Sequence, residues 1–301
     1  MSVQMGQYPE PGHVVVHMSD THFLAEGARL YGRVDTDSTL GRAMRQLKRS
    51  GIHPDAIVLT GDIADRGEAD AYGRVRALVE PLADQLEAEL VWVMGNHDER
   101  GGFRAGLLDE SPSSAPVDRV VVVNGLRIIA LDSSVPGFHH GALDDGQLDW
   151  LRSELSEPAP HGTILALHHP PIPTALPLMT ILELQQQDRL AEVLAGSDVR
   201  AILGGHLHYA TTGSFAGIPV SVAAATCYTM DLSAPTRQLE GIAGGQSFNL
   251  IHVHADQLVH SVIPITDAEV VTRFDDAFLT RMEGLDREGR IEAFSRFVAP
   301  A

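Results

Sequence analysis

Aspartate, asparagine and histidine recur along this chain at the ends of short apolar runs. The segments are 20–22 (Asp-Thr-His), 61–65 (Gly-Asp-Ile-Ala-Asp), 95–98 (Gly-Asn-His-Asp), 168–169 (His-His) and 205–208 (Gly-His-Leu-His). Each motif alone is weak, because a histidine after a strand usually forms hydrogen bonds within its loop. All five follow predicted strands, and in open α/β sheets ligands bind at the carboxyl ends of strands. We therefore expect these side chains to meet in one site.

The residue types in these segments indicate a transition-metal centre. Carboxylate, imidazole and amide ligands without thiolate suit Mn, Fe, Zn or Co, whereas a structural zinc site would use cysteine. The candidate ligands are Asp20, His22, Asp62, Asn96, His168, His206 and His208. They are too many for one ion but suit two ions that share a carboxylate, with positions left for water and substrate. A hydroxide between two such ions would be a nucleophile at neutral pH.

The charge balance constrains the substrate. The 301 residues include 22 Lys and Arg against 40 Asp and Glu, a formal net charge of -18 at pH 7. Such a chain repels nucleic acid and anionic membranes, so we expect no polymeric nucleic acid partner. Two divalent ions, balanced by Asp20, Asp62 and a hydroxide, would leave the site with a charge of about +1. That local charge would attract a small phosphodiester monoanion.

The compartment is predicted from what the chain lacks. Its polar N-terminus has no signal-peptide pattern, and no apolar run approaches the roughly 20 residues of a membrane span. A lone cysteine, Cys227, suits a reducing compartment. We expect a cytoplasmic homodimer without integral membrane association.

Patterning predicts an α/β fold. Apolar runs within 13–22, 55–62, 89–97, 162–169 and 199–208 are typical of strands buried on both faces. Helical periodicity covers 36–50, 145–157 and 182–195, and Asn124-Gly125 predicts a hairpin within 119–134. All-strand patterns follow in 217–230 and 247–265, and the Gly-rich segment 239–247 reads as a mobile loop. We expect two mixed sheets flanked by helices in a domain of residues 1–265, and a charged helical extension over 266–301.

The ordered set DxH, GDxxD, GNHD, H and GHxH resembles the calcineurin-like metallophosphoesterase superfamily over residues 13–265. Segments such as RLYGRVDTD (29–37) and LDSSVPGFHHG (131–141) resemble the class III cyclic-nucleotide phosphodiesterases of actinobacteria. The resemblance implies a four-layer αββα sandwich and a binuclear centre, usually iron with manganese, with zinc or cobalt as alternatives. It also implies hydrolysis of 3′,5′-cyclic nucleotides, cAMP or cGMP, to 5′-monophosphates.

The resemblance also implies roles for individual residues. Asp20, His22 and His208 would hold the first metal, Asn96, His168 and His206 the second, and Asp62 would bridge them. His97 would stabilise or protonate the leaving oxygen, and Asp65 would orient His97. His139 would meet the phosphate, with His140 as the alternative, so Asn96, His97, His139 and His208 are the expected substrate contacts.

Some residues and functions stay open at this stage. Asp98 is expected to be a helix N-cap or a surface residue, and Cys227 or Tyr228 could contact substrate. GDIADRG (61–67) also resembles the GDxxDRG of phosphoprotein phosphatases, but the basic pair that would grip a phosphomonoester is missing. A broad-specificity diesterase acting on 2′,3′-cyclic nucleotides or glycerophosphodiesters, and a non-enzymatic interaction scaffold, are further alternatives.

Overall fold

The computed structural model describes residues 3–297, and the chain divides into two compact units. The larger unit, Gly12–Ile265, carries all the candidate site residues. The smaller unit combines the described residues of Met1–Pro11 with those of Thr266–Ala301. Within residues 3–297, no helix has both the length and the apolar character needed to cross a bilayer.

The strands are β1 His13–Met18, β2 Ala56–Thr60, β3 Glu89–Val93, β4 Arg119–Val123, β5 Leu126–Leu131, β6 Thr163–Leu167, β7 Val199–Gly204, β8 Thr211–Phe215, β9 Ile218–Val222, β10 Thr229–Met230, β11 Gly241–Ile242, β12 Ser247–Val253 and β13 Leu258–Pro264. The α-helices are α1 Thr36–Ser50, α2 Ala69–Leu86, α3 Arg100–Leu107, α4 Asp145–Glu154, α5 Gln187–Leu194, α6 Asp276–Glu283 and α7 Arg287–Arg290. Short 3₁₀ turns cover Ala25–Gly27 and Pro177–Leu182, and a π-helical turn covers Ile291–Ser295.

Two mixed sheets form the centre of the larger unit, as predicted. One has the strand order β13-β12-β1-β2-β3 and the other β4-β5-β6-β7-β9-β8. Strands β1 to β3 are parallel to one another, as are β5, β6, β7 and β9, and antiparallel strands lie at the edges. One apolar cluster fills the space between the sheets, and two others pack helices on their outer faces. The four-layer α/β architecture is confirmed.

Helix α1 shows how local sequence sets these elements. Asp35 caps its N-terminus by accepting a hydrogen bond from the Ser38 amide at 2.9 Å. Gly51 ends it in the left-handed region, at φ 69°. Its predicted apolar stripe, Leu40, Met44 and Leu47, is buried against the first sheet. The Asn124-Gly125 hairpin is likewise present between β4 and β5.

Other elements differ from the sequence prediction. Helices α2 and α3 were not predicted; α2 contains Pro81, and α3 has three glycines in eight residues. Proline and glycine disfavour a helix, but here side-chain packing between α2 and α3 offsets their cost. The Tyr72 and Phe103 rings meet edge to face at 6.0 Å, and both are fully buried. The helix expected over 182–195 begins only at Gln187, and α4 ends at Glu154 instead of 157. The segment expected as a loop over 239–247 contains β11, which pairs with β10.

The two sheets approach closely at Gly205, directly after β7. A Cβ atom on Gly205 would lie 1.9 Å from the Ser19 Oγ and 2.8 Å from the Thr60 carbonyl oxygen. Both of those atoms belong to the first sheet and its loops. Only a residue without a side chain fits at this contact.

We expect Gly205→Ala to lower the free energy of unfolding by roughly 1–3 kcal/mol or more, because backbone and buried hydroxyl must move apart. Urea unfolding of chelator-treated protein measures this without a contribution from metal. Gly73→Ala is the matched control, since Gly73 lies in α2 with no atom within 4 Å of the added Cβ. That change should be neutral or stabilise by up to about 1 kcal/mol. Equal stability of the two variants would contradict the close approach at Gly205.

Candidate metal centre

The candidate ligands follow the carboxyl ends of five strands that lie in the two sheets. Each candidate ligand lies one to four residues after the last residue of β1, β2, β3, β6 or β7. Main-chain hydrogen bonds join the loops that carry them. Asp20 N donates to Gly61 O at 3.1 Å, His22 N donates to Asp62 O at 2.9 Å, and Gly205 N donates to His168 O at 2.9 Å. The sheets therefore bring the five sequence motifs together at one edge, as expected.

Backbone strain is concentrated in these loops. Among the candidate ligands, Asp20, His22, Asp62, His206 and His208 have positive φ angles between 45° and 68°. The left-handed region costs a non-glycine residue on the order of 1 kcal/mol or more. The surrounding hydrogen bonds hold this geometry, which turns the ligand side chains inward.

The first group of candidate ligands consists of Asp20, His22, Asp62 and His208. One donor atom from each of the four lies within 4.8 Å of all the others, and all four residues are buried. His208 Nε2 lies 3.3 Å from Asp20 Oδ1, and His22 Nε2 lies 3.3 Å from Asp62 Oδ2. The two Nε2 atoms are 3.2 Å apart. Carboxylate and imidazole donors at this spacing fit one transition-metal ion.

The second group shares Asp62. His168 Nε2 lies 3.4 Å from Asp62 Oδ2 and 3.1 Å from Asn96 Oδ1. The His206 ring packs against His168 with centroids 5.1 Å apart, and its buried Nε2 has no hydrogen-bond partner among the described residues. A buried imidazole nitrogen without a partner is costly. A metal ion coordinated by this nitrogen would satisfy it, so the residues present fit a second ion.

The imidazoles are held from behind by bonds to their other nitrogen. His168 Nδ1 donates to the Thr60 carbonyl at 2.7 Å, and His208 Nδ1 to the Tyr228 carbonyl at 3.1 Å. His22 Nδ1 donates to Asp65 Oδ1 at 3.0 Å. These bonds leave the Nε2 lone pairs facing the centre, the arrangement that metal-binding histidines require.

His169 lies beside this group, but both of its ring nitrogens already have hydrogen-bond partners. Its Nδ1 is 2.8 Å from the Ser133 hydroxyl, and its Nε2 is 3.2 Å from the His139 carbonyl oxygen. Burial lowers the pKa of His169 well below its usual value, and the charges of His206 and His168 add to this effect. His169 therefore supports the neighbouring loop as a neutral residue and leaves coordination to His168.

The electrostatics of the centre favour cations. Burial opposes the charged form of Asp20 and Asp62, yet the adjacent imidazoles lower the pKa of both carboxyls, that of Asp62 well below its usual range. Burial likewise disfavours protonated His168 and His208, but neighbouring groups, Asp62 and Asp20 among them, raise their pKa values to about 9 and about 10. In contrast, burial and the charge of His168 lower the pKa of His206 to about 3. Divalent ions would replace the protons as counter-charges.

His97 and His139 stand beside the ligands without joining them. His97 is partly exposed, and its ring lies 4.7 Å from that of His22 and 4.9 Å from that of His139. His139 Nδ1 accepts a hydrogen bond from Asn96 Nδ2 at 2.8 Å, which turns the Asn96 oxygen toward His168. His139 lines the cavity, whereas the neighbouring His140 ring packs against Phe138.

Asp65 acts on two histidines through different atoms. Its carboxylate bonds to His22, and it lies 3.6 Å from His97 Nδ1, beyond hydrogen-bond range. His97 Nδ1 donates instead to the main-chain carbonyl of Asp65 at 2.9 Å. His97 is therefore oriented by the Asp65 main chain, whereas the Asp65 carboxylate holds the candidate ligand His22.

The expectation that Asp98 is a helix N-cap or surface residue was wrong. Asp98 is buried, and its carboxylate accepts hydrogen bonds from the amides of Ile63, Ala64 and Gly95 at 3.0–3.1 Å. The Tyr72 hydroxyl donates a fourth bond at 3.1 Å. Burial and the charge of Asp62 raise the pKa of Asp98 to about 7. Glu99 caps the next helix, so Asp98 instead joins the loop of Asp62 to the loop of Asn96.

Cys227 and Tyr228, for which the sequence left a substrate contact open, lie beside His208. Cys227 is fully buried, with its Sγ 3.8 Å from His208 Nδ1. The Tyr228 ring packs on the His208 ring at 4.5 Å and lines a cavity of ≈ 650 Å³ that opens onto the ligand cluster. The proximity of residue 228 to His208 arises from tertiary folding, which no local sequence signal reveals.

Replacing Asp98 tests its role as the link between the two loops. Asp98→Ala would leave buried main-chain amides without acceptors, each costing roughly 1–3 kcal/mol. We expect Asp98→Ala to lose several kcal/mol of unfolding free energy in urea titrations, and Asp98→Asn, which keeps one carbonyl oxygen, to lose less. Asp149→Ala, at an exposed aspartate of α4, serves as the control. An Asp98→Ala variant as stable as this control would contradict the role.

Comparison with known proteins agrees with this geometry. Residues 13–210 match the calcineurin-like phosphoesterase family. A cAMP/cGMP dual specificity phosphodiesterase of Mycobacterium tuberculosis is 57% identical over 272 residues, which cover 90% of this chain and 86% of the relative. A 3′,5′-cyclic adenosine monophosphate phosphodiesterase of Pseudomonas aeruginosa is 31% identical over 264 residues, 87% of this chain and 93% of that protein.

A solved structure supports the fold. The crystal structure of a dimetal phosphatase from Danio rerio superposes with a TM-score of 0.60 at 17% identity, covering 85% of this chain and 98% of the other. The sequence match spans most of the larger unit and includes all seven candidate ligands. The chain therefore belongs to the calcineurin-like phosphoesterase family of metal-dependent hydrolases.

Proposed function

We propose that this enzyme is a binuclear-metal phosphodiesterase that hydrolyses 3′,5′-cyclic nucleotides, cAMP foremost, to nucleoside 5′-monophosphates. The observation that carries the proposal is the position of Asp62, whose Oδ2 is within 3.4 Å of ligand nitrogens from both groups. The activities named for the two relatives support the substrate class. Iron with manganese is the proposed metal pair, with zinc or cobalt as alternatives.

The residues proposed to hold the ions are those of the two groups. Asp20, His22 and His208 would bind one ion, Asn96, His168 and His206 the other, and Asp62 would bind both. When bound, such ions supply Lewis acidity and activate water for attack on phosphorus. The donor set fits this task because it is buried and its carboxylates carry charge opposite to that of the ions. The donors would therefore stay fixed while the substrate reacts.

His97 is proposed to serve the leaving group. Its Nδ1 is held by the Asp65 carbonyl, which leaves Nε2 free to face the cavity that His97 lines. As water adds to phosphorus and the bond to the 3′ oxygen breaks, a protonated His97 can donate its proton to that oxygen. Burial lowers the pKa of His97, and the bound phosphate anion opposes this effect. His139 lies beside Asn96 and is proposed to contact the phosphate.

A substrate panel tests the proposed function. We expect the highest kcat/KM on 3′,5′-cAMP or 3′,5′-cGMP, with 2′,3′-cAMP and a phosphomonoester well below them, in a preparation of known metal content. A preference for 2′,3′-cAMP or glycerophosphodiesters would replace the proposal with a broad diesterase. A preference for the monoester would favour the phosphoprotein phosphatase alternative, and no hydrolysis in metal-replete protein would favour the scaffold. The homodimer and the cytoplasmic location stay predictions.

The ligand role of Asn96 predicts a specific loss. Asn96→Ala should lower the metal content from about two equivalents toward one, because the amide oxygen is a ligand of the second group. Elemental analysis of the purified variant, beside a measured rate on cAMP, checks this. An unchanged metal count would rule out coordination by Asn96. Asn124→Ala, in the β4–β5 turn, is the matched control and should keep both ions.

The role of His97 predicts a dependence on the leaving group. His97→Ala should retain both ions and the fold but lose roughly 10²–10⁴-fold in kcat on cAMP, the usual contribution of a general acid. The loss should be smaller for a p-nitrophenyl diester, whose leaving group needs no proton. Equal losses on both substrates would instead assign His97 to positioning. His140→Ala, which replaces a neighbouring histidine whose ring packs on Phe138, should leave both rates near wild type.

A further inference from the structure

The cavity beside the metal centre is larger than a phosphate group requires. It has a volume of ≈ 650 Å³, and the proposed chemistry uses only the end lined by the ligands, His97 and His139. One wall is mostly aromatic and apolar, with Arg33 as the charged residue beside Tyr31, Val34, Tyr228, Met230, Leu239 and Ile242. Such a surface is typical of a site for a flat organic group.

Two sequence segments form this wall. Strands β10 and β11 pair Met230 with Gly241 and bring the chain around residue 240 beside Tyr228. The Tyr228 ring contacts the His208 ring on one side, and a Cβ on Gly241 would lie 2.7 Å from the Tyr228 ring. Tyr228 is therefore fixed between the metal ligand and the β11 backbone.

The second segment is the turn Leu30–Val34. Leu30 N donates to Val34 O and Val34 N donates to Leu30 O, each at 3.0 Å. Buried Leu30 anchors the turn in a small cluster with Cys227 and Tyr228. Tyr31 projects from the turn with 72% of its surface exposed, and its ring meets the Tyr228 ring edge to face at 5.6 Å.

Tyr31 combines two features that folding alone does not explain. Its backbone has φ 52°, in the region that disfavours a bulky residue, and its large ring is left in water at the cavity wall. An exposed aromatic face of this kind is a stacking platform for nucleobases, because every base has a π-face that can stack on it. The edge-to-face contact with Tyr228 restrains the ring before any ligand binds.

The geometry points to a nucleobase subsite in which Tyr31 stacks on the base while Tyr228 and Ile242 line its edge. This inference rests on the proposed function, because it assigns the base of the cyclic nucleotide to the His208 side of the cavity. Tyr31 would then set the preference for nucleotides over simpler diesters and would take no part in the bond changes.

The subsite can be tested by competition, without reliance on cyclic-nucleotide turnover. The experiment measures how strongly 5′-AMP, and ribose 5-phosphate, which lacks the base, inhibit hydrolysis of methyl p-nitrophenyl phosphate by the metal-loaded protein. We expect 5′-AMP to have the lower inhibition constant by about 10-fold or more. Tyr31→Ala should reduce that ratio toward one, and Tyr31→Phe, which keeps the ring, should preserve it. The KM for cAMP should rise in Tyr31→Ala with little change in kcat.

Two results would overturn the subsite. One is equal inhibition by 5′-AMP and ribose 5-phosphate in the wild-type protein; the other is a Tyr31→Ala variant that keeps the wild-type ratio. Both results are distinct from failure of the proposed function, in which the wild type hydrolyses the synthetic diester but not cyclic nucleotides. A Tyr31→Ala variant that loses the synthetic diesterase activity in parallel would assign Tyr31 to the integrity of the site and would also reject the subsite.

Discussion

The structure depends on the burial of two carboxylates, Asp20 and Asp62, within one small cluster. Burying an unpaired carboxylate is very unfavourable, and two of them repel each other. Here imidazoles from opposite sheets surround them, with His22 and His168 on Asp62 and His208 on Asp20. The same arrangement supplies the carboxylate and imidazole donors that divalent cations prefer, and bound cations would stabilise the folded state.

Holding these donors in place requires a rigid frame. Several of the candidate metal ligands have positive φ angles, a backbone conformation that persists only where surrounding contacts enforce it. Asp98 supplies part of that enforcement by accepting amide hydrogen bonds from both the 62–65 loop and the 95–98 loop. Gly205 supplies another part, because its lack of a side chain lets the second sheet contact Ser19 and Thr60 of the first. The parallel strands beneath direct all of these loops to one edge.

The part of the site that could be predicted from sequence is the part encoded locally. Apolar strands ending in Asp, Asn or His give both the strand edge and the donor set, and the structure brings all seven candidate ligands together there. The Asn124-Gly125 hairpin and the capped helix α1 are also local signals, and both are present. The resemblance of the motifs to a known family extended this prediction to the sandwich fold.

What could not be predicted depends on contacts distant in sequence. Helix α2 contains Pro81, and it forms because its buried face, including Tyr72, packs on the sheet and on α3. Asp98 looked like a cap because its partners Ile63 and Ala64 are more than 30 residues away. Asp65 bonds to His22 through its carboxylate at 3.0 Å and to His97 through its carbonyl at 2.9 Å, whereas its carboxylate lies 3.6 Å from His97. Residue type alone does not determine such small differences in distance.

In the proposed mechanism, Asp62 joins two metal sites into one catalytic unit. Titration of chelator-treated protein with Mn²⁺, following bound metal and cAMP hydrolysis in the same samples, tests it most directly. We expect saturation at two ions per chain, with activity appearing only as the second ion binds, and Asp62→Asn should weaken both binding steps. Full activity at one equivalent, or loss of a single ion in Asp62→Asn with the other unaffected, would contradict a shared carboxylate.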